Sequence, residues 1–180
     1  MPEIYSDVTG TQIVPRGRTE APILLELKDT REAEYRLSDI AVVNHAILPG
    51  LISAFTKGLA ELARAMGVIS FEKVKAQHRM EQRKSHLLIY EVPKIIEEKK
   101  LKTSEDIRTA IINLDPDFAE LSQVQDNYDA VYENLKTRFK TIEHALYGCK
   151  TITQFKQGLN VGNDDYSGSH AEPGQTSYKR

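Results

Sequence analysis

Two long heptad patterns constrain this chain more than any other feature of its sequence. In the first pattern, mostly apolar side chains recur at intervals of seven in two interleaved series. One series is Ile52, Leu59, Met66, Lys73, Met80 and Leu87, and the other is Phe55, Leu62, Ile69, Ala76, Arg83 and Tyr90. The pattern predicts one helix over about residues 51–91, roughly 60 Å long at 1.5 Å per residue. Gly67 is its weakest point, and Pro93 ends or kinks it.

The second heptad pattern follows Asp115-Pro116, a pair suited to the N-cap and to the first helical position. Its members are Phe118, Gln125, Tyr132, Phe139 and Leu146, alternating with Leu121, Tyr128, Leu135 and Ile142. Val124 and Val131 widen the apolar face, which indicates packing against more than one neighbouring helix. We therefore expect a helix over residues 117–147 that ends near Gly148.

Two shorter helices are expected beside the long ones. Ala33, Leu37 and Ile40 recur at helical spacing after Asp29 and Glu32, which have the spacing of a capping box, so a helix is predicted over residues 30–46. A second helix is predicted over residues 103–113, where Thr103 or Ser104 supplies the cap.

The two ends of the chain differ from the middle. Residues 1–22 contain Pro2, Gly10, Pro15, Gly17 and Pro22 without a sustained apolar period, and are predicted to form a flexible arm. Residues 158–180 are rich in Gly, Asn, Asp and Ser and are predicted to be a disordered tail. The fold class expected is therefore all-α: a helical domain over residues 23–157 in which the two heptad helices pack antiparallel and the shorter helices cover exposed seam. The two heptad seams carry more apolar surface than two crossing helices can bury against each other. Self-association of the protein is therefore also expected.

Composition excludes several classes of protein. The single cysteine, Cys149, rules out an intramolecular disulfide framework and indicates a reducing compartment, so the expected location is the cytoplasm, or the host cytoplasm if the chain is viral. No run of about 18 apolar residues and no export signal pattern are evident, which predicts no membrane association.

Motifs for common chemistry are also missing. The sequence has no phosphate-cradling glycine loop, no HExxH and no GxSxG, so a non-enzymatic protein without cofactor or metal is expected. His78 and His86 are eight residues apart, too far for one metal ion, and are expected to be solvated. Tyr128 and Tyr132 lie on the seam and are expected in the core. An enzyme that uses the acidic segment is disfavoured, because its carboxylates have no apolar pocket to tune them.

The charges are segregated although the formal net charge is only −2. Residues 71–102 carry +4, residues 103–133 carry −7 and residues 134–156 carry +4. Two interpretations stay open: the basic helix follows a phosphate backbone, or the basic block pairs with the acidic block within or between subunits. In the arm, Arg16-Gly17-Arg18 is either a phosphate contact or a solvated element.

The order of these elements resembles the small recombination mediator proteins of tailed bacteriophages, the UvsY type. The similar stretch covers about residues 70–157 and includes FEKVKAQHR (71–79), LLIY (87–90), TSEDI (103–107) and TITQF (151–155). The chain departs from the family pattern before this stretch, at Pro93 and in its polar tail. The resemblance implies an oligomeric helical protein that binds single-stranded DNA and helps to load a recombinase. The DNA contacts it implies are Lys73, Lys75, Arg79, Arg83 and Lys84.

The function expected from the sequence is a non-enzymatic, helical protein that binds single-stranded DNA, as an accessory of phage recombination or replication. Its expected partners are the DNA strand, further copies of itself, and a recombinase or another phage or host protein. The alternative is a structural or adaptor protein, such as a virion or complex scaffold, that binds only other proteins through its coiled-coil seams.

Overall fold

The computed structural model describes residues 10–18, 20–44 and 46–164, with side chains up to Phe155. The predicted all-α class is confirmed: two long helices pack antiparallel, and the only sheet in the described part of the chain has two strands. The element order is β1 (Thr11–Val14), β2 (Ile23–Glu26), α1 (Lys28–Tyr35), a 3₁₀ segment (Arg36–Val42), α2 (Leu48–His86), a π turn (Leu87–Glu91), α3 (Val92–Glu98), α4 (Glu105–Asn113) and α5 (Pro116–Asp164). None of the described helices combines the length and apolar character needed to cross a bilayer.

The main core lies between α2 and α5, where the heptads predicted it. On α2 the inner series Phe55, Leu62, Ile69 and Ala76 is buried, and on α5 the matching series Tyr128, Leu135, Ile142 and Cys149 is buried. Val124 and Val131 are buried as well, which confirms the wider apolar face of α5. Part of the surplus apolar surface is covered within the chain, by α1, the 3₁₀ segment and the two strands, while Val68 and Val74 of α2 stay exposed.

The N-terminal arm differs from its prediction over the described residues 10–18 and 20–22. β1 pairs antiparallel with β2, with Gln12 opposite Leu25 and Val14 opposite Ile23. Alternation along β1 places Val14 in the core, fully buried, while Ile13 faces outward. The prediction was wrong here because a four-residue strand is too short for its period to be recognised in the sequence. Residues 1–9 of the predicted arm lie outside the described residues.

The helix predicted over residues 30–46 is shorter in the structure. α1 has eight residues and gives way to the 3₁₀ segment. Asp29 and Glu32 form no capping box; the helix start is instead satisfied from α2, where Glu61 Oε2 accepts hydrogen bonds from the Thr30 N–H (2.7 Å) and hydroxyl (2.8 Å). α1 thereby leans on α2, and Ala33 packs directly against Gly58.

The predicted interruptions of the long helices are mostly absent. α2 passes through Gly67 without a break. Near Pro93, which was predicted to end or kink the helix, the α-helical pattern is interrupted after His86, but the helical path continues. A proline ring clashes with the carbonyl four residues earlier, here that of Ile89, and the backbone accommodates it by widening into the π turn Leu87–Glu91 before continuing as α3. Likewise, α5 does not end at Gly148 but continues to Asp164, so the predicted tail begins as helix; residues 165–180 lie outside the described residues.

The starts of α4 and α5 agree with the caps predicted from the sequence. Ser104 caps α4 by accepting a hydrogen bond from the Ile107 N–H (3.3 Å). Asp115 caps α5, since its Oδ1 accepts from the Phe118 N–H at 2.8 Å. A small second core of Leu87, Val92 and Ile112 joins the π turn, α3 and α4 at this end of the hairpin.

Candidate nucleic-acid interface

One exposed face of α2 and of the π turn that follows it combines basic and aromatic side chains at helical spacing. We call it the outer stripe; its members are Phe71, Lys75, His78, Arg79, Gln82, His86 and Tyr90, all of them exposed. The spacing of three or four residues keeps them on one side of the helix, opposite the buried series that faces α5. At 1.5 Å per residue the outer stripe is about 28 Å long.

The aromatic members of the outer stripe are paired with its cations or with each other. The Lys75 Nζ lies 4.4 Å from the centre of the Phe71 ring, and the His86 and Tyr90 rings are 5.0 Å apart and tilted by 44°. Phe71 is 61% and Tyr90 57% exposed, so both rings are accessible from solvent. Exposed rings beside cations are the arrangement on which unpaired bases stack while their phosphates are neutralised.

Tyr90 reaches this face because of the π turn. The heptad pattern predicts Tyr90 as a seam residue, and that prediction was wrong. Leu87, the first residue of the turn, is buried in the second core, and the wider turn at Leu87–Glu91 shifts the helical phase after it, so that Tyr90 is exposed.

The structure places the five predicted DNA contacts on three different sides of α2. Lys75 and Arg79 lie on the outer stripe, with side chains 46% and 52% exposed. Lys84 is exposed on another side of α2, five residues beyond Arg79 and therefore about 140° around the helix. Lys73 and Arg83 turn toward α5.

Lys73 and Arg83 occupy the two polar positions of the inner face. Lys73 forms an ion pair with Asp129, and Arg83 contacts Asp115 and, at 3.6 Å, Asp117. The hydrogen bond from Arg83 holds the pKa of Asp115 below its ordinary value against the opposing effect of burial. For these two residues the interpretation that the basic block pairs with the acidic block is confirmed, within a single chain.

A second ionic cluster lies beside the outer stripe, around the buried carboxylate of Glu72. Lys75 Nζ lies 3.2 Å from Glu72 Oε1, and Arg16 contacts the same oxygen. Burial alone raises the pKa of Glu72, but the hydrogen bonds from Lys75 and Arg16 outweigh it and lower that pKa below its ordinary value. Burial beside the charged Glu72 raises the pKa of the Tyr128 hydroxyl, which keeps it protonated.

Arg16 belongs to a short segment that we call the strap, residues 15–18 and 20. It crosses from α5 to α2 between the two strands. The Arg18 N–H donates to Glu120 Oε1 on α5 at 2.7 Å, and Glu20 forms an ion pair with Arg79 on α2. Gly17 has a φ of +115°, and an added Cβ would lie 3.2 Å from Glu120 Oε1, so only glycine fits this close crossing. The Arg16-Gly17-Arg18 element is therefore engaged with carboxylates of the same chain.

Sequence reasoning missed the aromatic members of the outer stripe and the strap. The i, i+4 run Phe71, Lys75, Arg79 was visible in the sequence and would have identified the first part of the stripe. The exposure of Tyr90 depends on the π turn, for which Pro93 three residues later was the only local signal. Arg16 and Glu72 are 56 positions apart in the sequence, so their ion pair could not be predicted from a local pattern.

Comparisons with protein-family models, with curated proteins and with solved structures gave no match for this chain. Within the part of the chain that the structure describes, no three His, Cys, Asp or Glu side chains converge on a position for a metal ion.

Proposed function

We propose that this chain is a non-enzymatic protein that binds single-stranded DNA along the outer stripe of α2. The observation that supports the proposal is the stripe itself, in which exposed rings at both ends flank Lys75 and Arg79. Such a surface binds without base-specific contacts, because every base offers a face for stacking and every phosphate a charge for pairing.

A role in recombination follows from the resemblance to phage mediator proteins and is part of the same proposal. A protein of that kind acts on single strands, in company with a recombinase and as an oligomer. The helical hairpin leaves Val68 and Val74 exposed next to Phe71, and apolar surface of this type is suited to contacts between copies. The proposed setting is the cytoplasm, or the host cytoplasm for a phage protein.

Fluorescence anisotropy of a labelled oligothymidylate at low and physiological salt tests the proposal. We expect saturable, salt-sensitive binding by the wild-type protein. The variant Lys75→Glu with Arg79→Glu should bind at least tenfold more weakly, with a salt slope reduced by about 1.4, since each phosphate contact on a single strand contributes about 0.7. Phe71→Ala and Tyr90→Ala should each cost about 1–3 kcal/mol of binding free energy without changing the salt slope.

The matched control is Lys140→Glu with Lys150→Glu, which makes the same charge change at two exposed positions on α5. Arg83 is unsuitable for charge reversal because it holds the N-cap of α5, and its loss would be read as a binding defect. Absence of binding at low salt, or equal weakening by the control, would contradict the proposal.

The second candidate function is an adaptor that binds only proteins. It is favoured by the exposed Val68 and Val74 and by the carboxylate partners of Lys73, Arg79 and Arg83, which already satisfy much of the basic block. Light scattering in the same buffers measures the mass of the particle. An oligomer that fails to bind the oligonucleotide would support the adaptor.

A further inference from the structure

The strap places a carboxylate directly on the outer stripe. Glu20 forms ion pairs with two arginines: with Arg79 on α2, and with Arg16 of the strap itself at 4.0 Å. Glu20 is held in position by the rest of the strap, since Arg16 is anchored on Glu72 and Arg18 on Glu120. A tethered carboxylate has a much higher effective concentration at Arg79 than any free anion in solution.

Carboxylate and phosphate compete for the same guanidinium. Both are anions that accept charge-assisted hydrogen bonds from arginine. Arg79 is therefore occupied by the protein's own anion in the free state, at the centre of the surface that contains Lys75, His78 and Gln82.

The contact between Glu20 and Arg79 is one that a ligand can displace. Both side chains are partly exposed, so the pair is weak and is screened by salt. The strap is also loosely packed here, because a cleft of about 270 Å³ remains between it and α5, lined by Arg16, Glu20, Arg79 and Leu121.

We propose that Glu20 is a built-in phosphate mimic that occupies Arg79 in the free protein and is displaced when a single strand binds. This inference rests on the proposed function. The strap then lowers the affinity of the outer stripe for a single anion, which must compete with Glu20 alone. A DNA strand that contacts several members of the outer stripe at once displaces Glu20. Glu20 acts on binding through Arg79.

The experiment measures oligothymidylate binding by Glu20→Gln at low salt. We expect Glu20→Gln to bind about two- to fivefold more tightly than wild type, the range that loss of a competing exposed ion pair gives. The matched control Glu26→Gln makes the same charge change at an exposed position of β2 and should differ from wild type by less than about 1.5-fold. In an Arg79→Gln background, Glu20→Gln should have no further effect beyond that of Glu26→Gln.

Three outcomes overturn the inference. If wild type binds and Glu20→Gln binds equally or more weakly, Glu20 is not a competitor and the proposed function survives. If the tighter binding persists in the Arg79→Gln background, Glu20 does not act through Arg79, and its effect comes from Arg16 or from overall charge. If neither wild type nor Glu20→Gln binds at low salt, the proposed function fails and the inference fails with it. Helicity measured by circular dichroism verifies that each variant is folded.

Discussion

Arg83 and Asp115 form a two-pronged ion pair that joins the end of α2 to the beginning of α5. Arg83 Nε lies 3.0 Å from Asp115 Oδ1, and the second guanidinium nitrogen lies 2.5 Å from Oδ2. The same carboxylate accepts the Phe118 N–H and so caps α5. One side chain therefore begins a helix and fixes its position against the neighbouring helix.

Replacing Asp115 should be costly because both roles are lost together. We expect Asp115→Ala to lower the free energy of unfolding by about 2 kcal/mol, from the lost cap and from the loss of the main partner of a guanidinium that is only partly exposed. Asp115→Asn keeps a capping oxygen and should cost about 1 kcal/mol. Urea unfolding measures both values. Asp117→Ala is the control, since Asp117 is exposed and 3.6 Å from Arg83, and it should cost less than about 0.5 kcal/mol. Equal costs at positions 115 and 117 would contradict the assignment.

Acid should destabilise the protein through the same pair. The pKa of Asp115 is lowered in the folded state by Arg83, so at low pH the unfolded chain binds the proton first. The stabilisation is complete above the unfolded pKa of about 4 and is lost as the pH falls through the folded value. The free energy of unfolding should therefore decline below about pH 5, and less steeply for Asp115→Asn than for wild type. Glu72, whose pKa is also lowered, adds to the decline in both proteins. Parallel pH curves for the two proteins would show that Asp115 does not contribute.

The heptads predicted the two long helices and their inner faces because a periodic apolar pattern is local and strong. Ile69 and Leu135 are buried as the spacing required, and the Asp115-Pro116 signal marked the start of α5 correctly. The errors have physical causes that lie outside a local pattern. Tyr90 is exposed because the π turn that precedes Pro93 changes the helical phase. At the start of α1, the Thr30 N–H donates its hydrogen bond to Glu61 on another helix.

The candidate site was only partly predictable for the same reason. The sequence singled out Lys75 and Arg79 together with Lys73, Arg83 and Lys84, but charge alone does not distinguish a lysine that faces solvent from one that faces Asp129. That distinction depends on the packing of α2 against α5. Likewise the strap depends on Val14 entering the core, which holds residues 15–18 close to Glu72 and Glu120.

Two glycines of α2 should respond to alanine in opposite ways. At Gly58 an added Cβ would lie 2.8 Å from the Ala33 Cβ and 3.2 Å from the Asp29 carbonyl oxygen, so α1 must move away. We expect Gly58→Ala to destabilise by about 1–3 kcal/mol, since overpacking exceeds the gain in helix propensity. At Gly67 nothing lies within 4 Å, and Gly67→Ala should stabilise by up to about 1 kcal/mol. Thermal unfolding of the two variants compares them directly, and a shift of the same sign in both would contradict the packing of α1 on α2.

The thiol of Cys149 should be unreactive while the protein is folded. It is fully buried in the core between α2 and α5, and burial raises its pKa, so both the access and the thiolate fraction are low. We expect a chromogenic disulfide reagent at pH 8 to label it at least 100-fold more slowly than in urea, at a rate set by opening of the hairpin. The control is Lys150→Cys in a Cys149→Ser background, which puts a thiol at the adjacent exposed position of α5 and should react rapidly. If Cys149 in the folded protein reacted as fast as Cys at position 150, this part of α5 would not be packed against α2.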